Sequence, residues 1–212
     1  MTRVDGRVER GNRTRRLVLR RTVDIASVEG LEALTVGRLA AELELSKSGV
    51  FALFGSKQEL QLATVQEAAR IFTERVLRPA AESPAGAGRV WRLCELWLEY
   101  SRGRVFPGGC FFYGAMAEFD ARSGPVHDAV VRAQRDWSAH VERTIREARA
   151  AGELRADTDV PQLAFELVAL LETANALSVL HDEETAYRRA RVGIAARLRA
   201  AAVDGVPLLQ VP

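Results

Sequence analysis

Lysine is almost missing from this chain of 212 residues: among its 30 cations only Lys47 and Lys57 are lysine, and the rest are arginine. An arginine- and alanine-heavy composition is the ordinary mark of a GC-rich genome, so the shortage alone carries no chemistry. Cysteine is equally scarce. Cys94 and Cys110 sit among aromatic and aliphatic neighbours with no CxxC or Cys/His metal spacing, which excludes a disulfide framework and a zinc module and predicts a reducing compartment. A secretory h-region is absent from the Arg-rich N-terminal stretch, and the most apolar run, Leu163 to Leu180, is broken by Glu166, Glu172 and Asn175. The expectation is a soluble, cytoplasmic protein without a membrane partner, metal or cofactor. Strand signals are nearly lacking too, since few β-branched runs alternate in polarity.

What is present is helical patterning on a chain long enough for one large domain or two modest ones, and 48% hydrophobic. Net charge is only +2, but residues 1–21 hold eight arginines against Asp5 and Glu9, a local +6, so the other 191 residues carry −4. A cationic head on a mildly acidic body is one arrangement that meets a polyanion at one end only.

The pattern predicts an all-α fold. Residues 1 to about 12 read as a mobile arm. A first helix follows from about Arg13 to Glu29, with Val18, Leu19, Thr22, Val23 and Ala26 on one face and Gly30 as its left-handed stop. Thr35 is placed to cap a short helix whose apolar positions Val36, Leu39, Ala40 and Leu43 follow helical spacing. After a turn of about three residues Ser46 caps Lys47 to Phe54. Gly55 breaks that helix, and Ser56-Lys-Gln-Glu59 reads as a capping box opening a long helix to about Leu77, ended by Pro79. The stretch from Pro79 to Gly88 is the best internal boundary, followed by helices at about 88–103, 108–120, 125–151, 160–181 and 183–203. Asp159-Val-Pro-Gln162 carries a cap, an early proline and a capping-box glutamine. No internal repeat is evident, and the tail from Gly205 reads as loose.

Two short helices joined by a tight turn, with a helix before and a capped long helix after, outline a helix-turn-helix at about residues 34–53. Small residues at Ser48 and Gly49 would let the second helix approach a duplex closely, with its N-terminal N–H groups favouring phosphate. Lys47 and Lys57 both fall at helix starts flanking Gly55. The run from Leu39 to Leu60, LAAELELSKSGVFALFGSKQEL, resembles the DNA-binding domain of TetR/AcrR-type transcriptional regulators, over roughly residues 13–62. The resemblance implies a DNA-binding domain at 11–71, an effector-binding and dimerisation domain at 79–204, and no enzymatic activity. It implies that Thr35 and its neighbouring N–H groups grip a phosphate at the start of the second helix and that Lys47, Ser48 and Gly49 face the groove. The full set of expected DNA contacts is Thr35, Val36, Arg38, Ser46, Lys47, Ser48, Gly49, Phe51, Ser56 and Lys57. Phe51 stands where the family usually carries a phosphate-binding tyrosine, which leaves packing against sugar or a thymine methyl. Glu44 occupies a usual glycine position, at a cost of roughly 1 kcal/mol if a positive φ is kept. Specificity would then lean on Arg38 and the N-terminal arm.

The same resemblance implies a ligand-responsive repressor acting as a homodimer on a palindromic operator in double-stranded DNA. The helix at 160–181 is apolar around much of its circumference, so it and the helix at 183–203 would meet their copies in a four-helix interface. Large soft residues crowd the middle of the chain. Trp91, Cys94, Trp97, Cys110, Tyr113, Met116, Trp137, His140 and Phe165 form the expected effector set, suited to a small hydrophobic or aromatic molecule. The segment Phe106 to Asp120 is similar to a C-terminal subtype of the family. Alternatives are a redox-sensing regulator using Cys110, a dimeric protein with degenerate DNA binding, and an enzyme pairing a cysteine with His127, His140 or His181. The last has no oxyanion loop, metal triad or phosphate motif behind it.

Overall fold

The computed structural model describes residues 6–206, and these are helical apart from turns and one isolated antiparallel bridge between Leu154 and Ala202. In chain order the elements are α1 (Gly6–Glu29), a 3-10 turn (Leu31–Ala33), α2 (Val36–Glu42), α3 (Lys47–Phe54), α4 (Lys57–Phe72), a π-turn (Thr73–Leu77), α5 (Arg78–Ala81), α6 (Ala87–Arg102), α7 (Phe111–Phe119), α8 (Pro125–Ala150), α9 (Val160–His181) and α10 (Thr185–Ala201). They divide into two compact units, one of residues 1–70 with 106–131 and one of residues 71–105 with 132–212.

In the first unit α1 buries Val18, Leu19, Thr22, Val23 and Ala26, the face its spacing predicts, together with Ile25. The buried Thr22 hydroxyl donates to the Leu19 carbonyl at 2.8 Å and stands 2.9 Å from that of Thr64 on α4, so the polar pair inside this core is satisfied. The helix starts earlier than expected. Of the predicted arm, residues 1–5 lie outside the described residues, whereas the chain is already helical at Gly6. Between Gly6 and Arg13 there is no proline to stop a helix that is anchored by its buried half. Gly30 ends α1 with the positive φ that was expected (+87°), but its ψ of 163° lies outside the left-handed helical region.

The long helix was expected to stop at Pro79, and the structure corrects this: α4 runs into the π-turn and on through α5. A proline lacks the N–H that an i−4 carbonyl needs, and its ring crowds that carbonyl. The wider π-turn precedes it, which leaves Pro79 in the first turn of α5.

In the second unit α9 lies chiefly on α10, and α6 packs on both. Gly193 permits the close approach: a Cβ there would stand 3.1 Å from a Leu170 methyl. Asp159 caps α9 by accepting the Gln162 N–H at 3.0 Å. The Gln162 side chain bonds Glu166 rather than returning to the cap, so the predicted box is a single cap. Among the described residues α9, at 22 residues, alone has the length and apolarity of a membrane span. Its buried face includes a polar cluster: the Ser101 hydroxyl donates to Asn175 Oδ1 at 2.8 Å, and Tyr187 Oη lies 2.9 Å from Ser101 and 2.7 Å from Ser178.

Candidate functional site

The helix-turn-helix is built from local caps. Thr35 Oγ1 accepts the Arg38 N–H at 3.2 Å and so starts α2, while its own hydroxyl proton stays available to an external acceptor. Ser46 Oγ accepts the Gly49 N–H at 3.0 Å and starts α3. A Cβ at Gly49 would lie 2.9 Å from that Oγ, so glycine makes room for the cap. Ser56 Oγ accepts the Glu59 N–H at 3.1 Å, but the Ser56 N–H goes to the Phe54 carbonyl, so this capping box too is only half formed.

The turn between α2 and α3 holds Glu44 at φ +54°. That conformation presses Cβ on the following carbonyl, which glycine avoids. Glu44→Gly should raise the stability of the full chain by about 1 kcal/mol in urea unfolding. A neutral or negative change would mean that the turn carries no strain.

Along α3, Val50 and Phe54 are buried while Lys47, Ser48, Gly49, Phe51 and Ala52 are exposed, so the apolar side faces the core and the small residues face out. Arg15 lies over the Phe54 ring at 5.3 Å, which places a cation of α1 against the back of α3. Val36 and Arg38 are half-buried, and Thr35, Ser46, Ser56 and Lys57 are exposed.

The cations of this unit are not equivalent. Arg38 gives its Nη1 and Nη2 to Glu29 at 2.6 and 2.5 Å and its Nε to Glu42 at 2.8 Å. The second oxygen of Glu42 accepts Arg21 Nε at 2.6 Å, completing a chain Arg21-Glu42-Arg38-Glu29 that ties α1 to α2. Lys57 Nζ donates to the Glu32 carbonyl and carboxylate at 2.8 and 2.9 Å. Hydrogen bonds from Arg38 hold the Glu29 and Glu42 carboxyls below their usual range, and those from Lys57 and Gln61 do the same for Glu32. Lys47 makes no ion pair among the described residues. A Cβ on Gly37 would lie 3.6 Å from its Cε and 3.9 Å from its Nζ, so the ammonium rests over the first turn of α2. Only the Arg38–Glu42 spacing of four was visible in the sequence; the Glu29 and Glu32 pairings cross between elements and left no local signal.

The 3-10 turn that leads into α2 is held from three sides. The Glu118 carboxylate on α7 accepts the Leu31 and Glu32 N–H groups at 2.7 and 2.9 Å, Gln61 donates to the Leu31 carbonyl at 3.0 Å, and Lys57 holds that of Glu32.

The expected effector residues fall in both units. In the second, Trp91, Cys94 and Trp97 are buried. The Trp137 ring meets the edge of Phe72 at 5.2 Å and stacks on His140 at 6.5 Å, and Phe72 in turn meets Tyr100 at 5.4 Å, with Trp97 6.4 Å beyond. Burial and the neighbouring Arg143 push the His140 imidazole below its ordinary value, and its Nδ1 lies 2.7 Å from an Arg143 nitrogen. Phe165 stands apart, 70% exposed on α9. Cys110, Tyr113 and Met116 belong to the first unit: Cys110 is buried at the start of α7, Met116 is half-buried and Tyr113 is exposed. Burial pushes the Cys94 thiol up to about 12, leaving it protonated and unfit as a nucleophile at neutral pH. Two surface clefts of the second unit, about 760 and 360 Å³, are lined by other residues, chiefly Arg146, Arg149 and Leu154 in one and Arg102, Tyr187 and Arg188 in the other.

Comparison with known proteins meets this geometry at both ends of the chain. The model described as bacterial regulatory proteins, tetR family, matches residues 18–64, and the model described as tetracyclin repressor-like, C-terminal domain, matches residues 86–194. No curated protein sequence matches at a comparable level. Among solved structures, a TetR transcriptional regulator from Chloroflexus aurantiacus superposes with a TM-score of 0.84 at 22% identity, over 92% of this chain and 98% of its own. A TetR-family transcriptional regulator from Streptomyces coelicolor does so at 0.74 and 26% identity, over 89% and 96%. A transcriptional regulator from Saccharomonospora viridis in complex with choline gives 0.76 at 20% identity, over 91% and 99%. With both of its regions matched, the second over more than half of its length, the chain belongs to the TetR family of DNA-binding transcriptional regulators.

Proposed function

We propose that the chain is a ligand-responsive repressor that binds a palindromic operator as a homodimer in the cytoplasm and is released by a small hydrophobic or aromatic effector. The observation that carries the DNA half is the exposed face of α3, with Lys47, which makes no ion pair among the described residues, over the start of α2 and the N-termini of two capped helices beside it. The family membership supports operator binding. The aromatic series Trp97, Tyr100, Phe72, Trp137 and His140 supports an apolar effector, and the choline bound by the Saccharomonospora regulator is a precedent for a small ligand on this fold. Large apolar side chains exposed on α9 and α10, Phe165, Leu177, Val179, Leu180 and Val192, support a second copy as their cover.

The test is fluorescence anisotropy with duplexes from upstream of the chain's own gene at several salt concentrations. Wild type should bind with a steep salt dependence. Lys47→Ala should weaken binding to all duplexes alike and lower the salt slope by about one per half-site. Binding indifferent to both salt and Lys47 would sink the reading.

A further inference from the structure

Resting on the DNA-binding reading above, we infer that Phe51 makes this protein a reader of thymine methyl groups. The exposed residues of α3 are Lys47, Ser48, Gly49, Phe51 and Ala52, and Ser48, Phe51 and Ala52 share one face by their spacing of three and four. In the major groove guanine is read by the fork of an arginine or by a lysine, adenine by asparagine or glutamine, and cytosine by a carboxylate. None of the arginine, amide or carboxylate readers stands on α3. The nearby arginine fork, Arg38, has three of its five N–H donors, one on each nitrogen, held by Glu29 and Glu42, and Lys47 lies over Gly37 on α2 instead of along the face. What the face offers is a phenyl ring 56% exposed, a methyl beside it and one hydroxyl. A ring without a hydroxyl cannot bond a phosphate oxygen or a base edge, and its exposed apolar area is unfavourable until something apolar covers it. The C5-methyl of thymine is the apolar group that the major groove presents.

The test starts from duplexes recovered by binding of the full-length protein to a random-sequence library. In the recovered site each thymidine is replaced singly by deoxyuridine, which removes one methyl and nothing else. Wild type should bind about fourfold more weakly for the methyl under Phe51 in each half-site. Phe51→Ala should lose at least as much on the thymine duplex and should no longer distinguish thymine from uracil, while Phe51→Tyr, which keeps the ring, should retain the distinction. Because the ring is exposed, circular dichroism should show both variants folded as wild type. Equal wild-type affinity for thymine and uracil at every position overturns the inference while leaving DNA binding intact, and assigns the ring to sugar packing. Recovery of no duplex at all fails both readings together.

Discussion

Gly108→Ala should destabilise the chain by about 3 kcal/mol or more, measured by urea unfolding of the full-length protein. A Cβ at Gly108 would stand 1.8 Å from the Ser27 carbonyl oxygen, 2.4 Å from its carbon and 3.0 Å from the Val28 nitrogen. All three are backbone atoms in the last turn of α1, so no rotamer change relieves the overlap, and either the helix end or the 106–110 turn must move. Movement also breaks the bond from the Gly108 N–H to Ser27 Oγ, 3.1 Å in the native state, and disturbs the fully buried Phe106 two residues earlier, over which Arg20 lies at 5.7 Å. Gly114 provides the contrast. It lies within α7 with nothing within 4 Å of its would-be Cβ, so Gly114→Ala should stabilise by about 1 kcal/mol through helix propensity alone. If Gly108→Ala unfolds within half a kcal/mol of wild type, the close approach of the turn to α1 is not a feature of the folded protein.

The contrast between those two glycines shows what the sequence could reveal. Local devices were legible: Thr35, Ser46, Ser56 and Asp159 each accept the N–H three residues on, and every position that the spacing of α1 marks is buried, with Ile25 besides. A cap and its partner are neighbours in sequence, so residue type and spacing suffice to find them. Capping boxes at Ser56 and Asp159 were over-read because their return bonds face competition, from the Phe54 carbonyl in one case and from Glu166 in the other. Pairings over long separations were not legible. Nothing local in Glu118 announces its bond to Leu31, 87 residues away, and nothing in Glu29 announces that it will occupy the arginine on which specificity was expected to lean. For the same reason the residues 106–131 could not be assigned to the first unit: their membership rests on contacts such as Gly108 with Ser27 and Arg122 with Glu32, not on a boundary signal. The effector residues were chosen by size and softness, a cue that buried core residues such as Trp91 and Cys94 satisfy equally well.

Glu118 and Gly30 should behave as one device, and their double variant should therefore be far from additive. Glu118→Ala removes the acceptor of two N–H groups at the start of the 3-10 turn, one of them partly buried, and should cost about 2 kcal/mol. Glu118→Gln should cost less, because one amide oxygen still accepts while the amide nitrogen cannot. Gly30→Ala acts on the same bonds from the other side. At φ +87° any side chain is strained, and the new Cβ would lie 2.8 to 2.9 Å from the Glu118 carboxylate. The carboxylate can retreat along its flexible stem, but only by releasing the Leu31 and Glu32 N–H groups, so the glycine substitution includes the loss that Glu118→Ala produces alone. Gly30→Ala should thus cost about 3 kcal/mol, and adding Glu118→Ala should leave the total near 3 instead of 5. A fully additive double variant, measured by urea unfolding, would show that the carboxylate holds nothing at this corner. Both single variants should also weaken DNA binding without touching DNA: the turn they loosen is the one from which α2 starts, and Gln61 and Lys57 then grip a corner that no longer has a fixed far side.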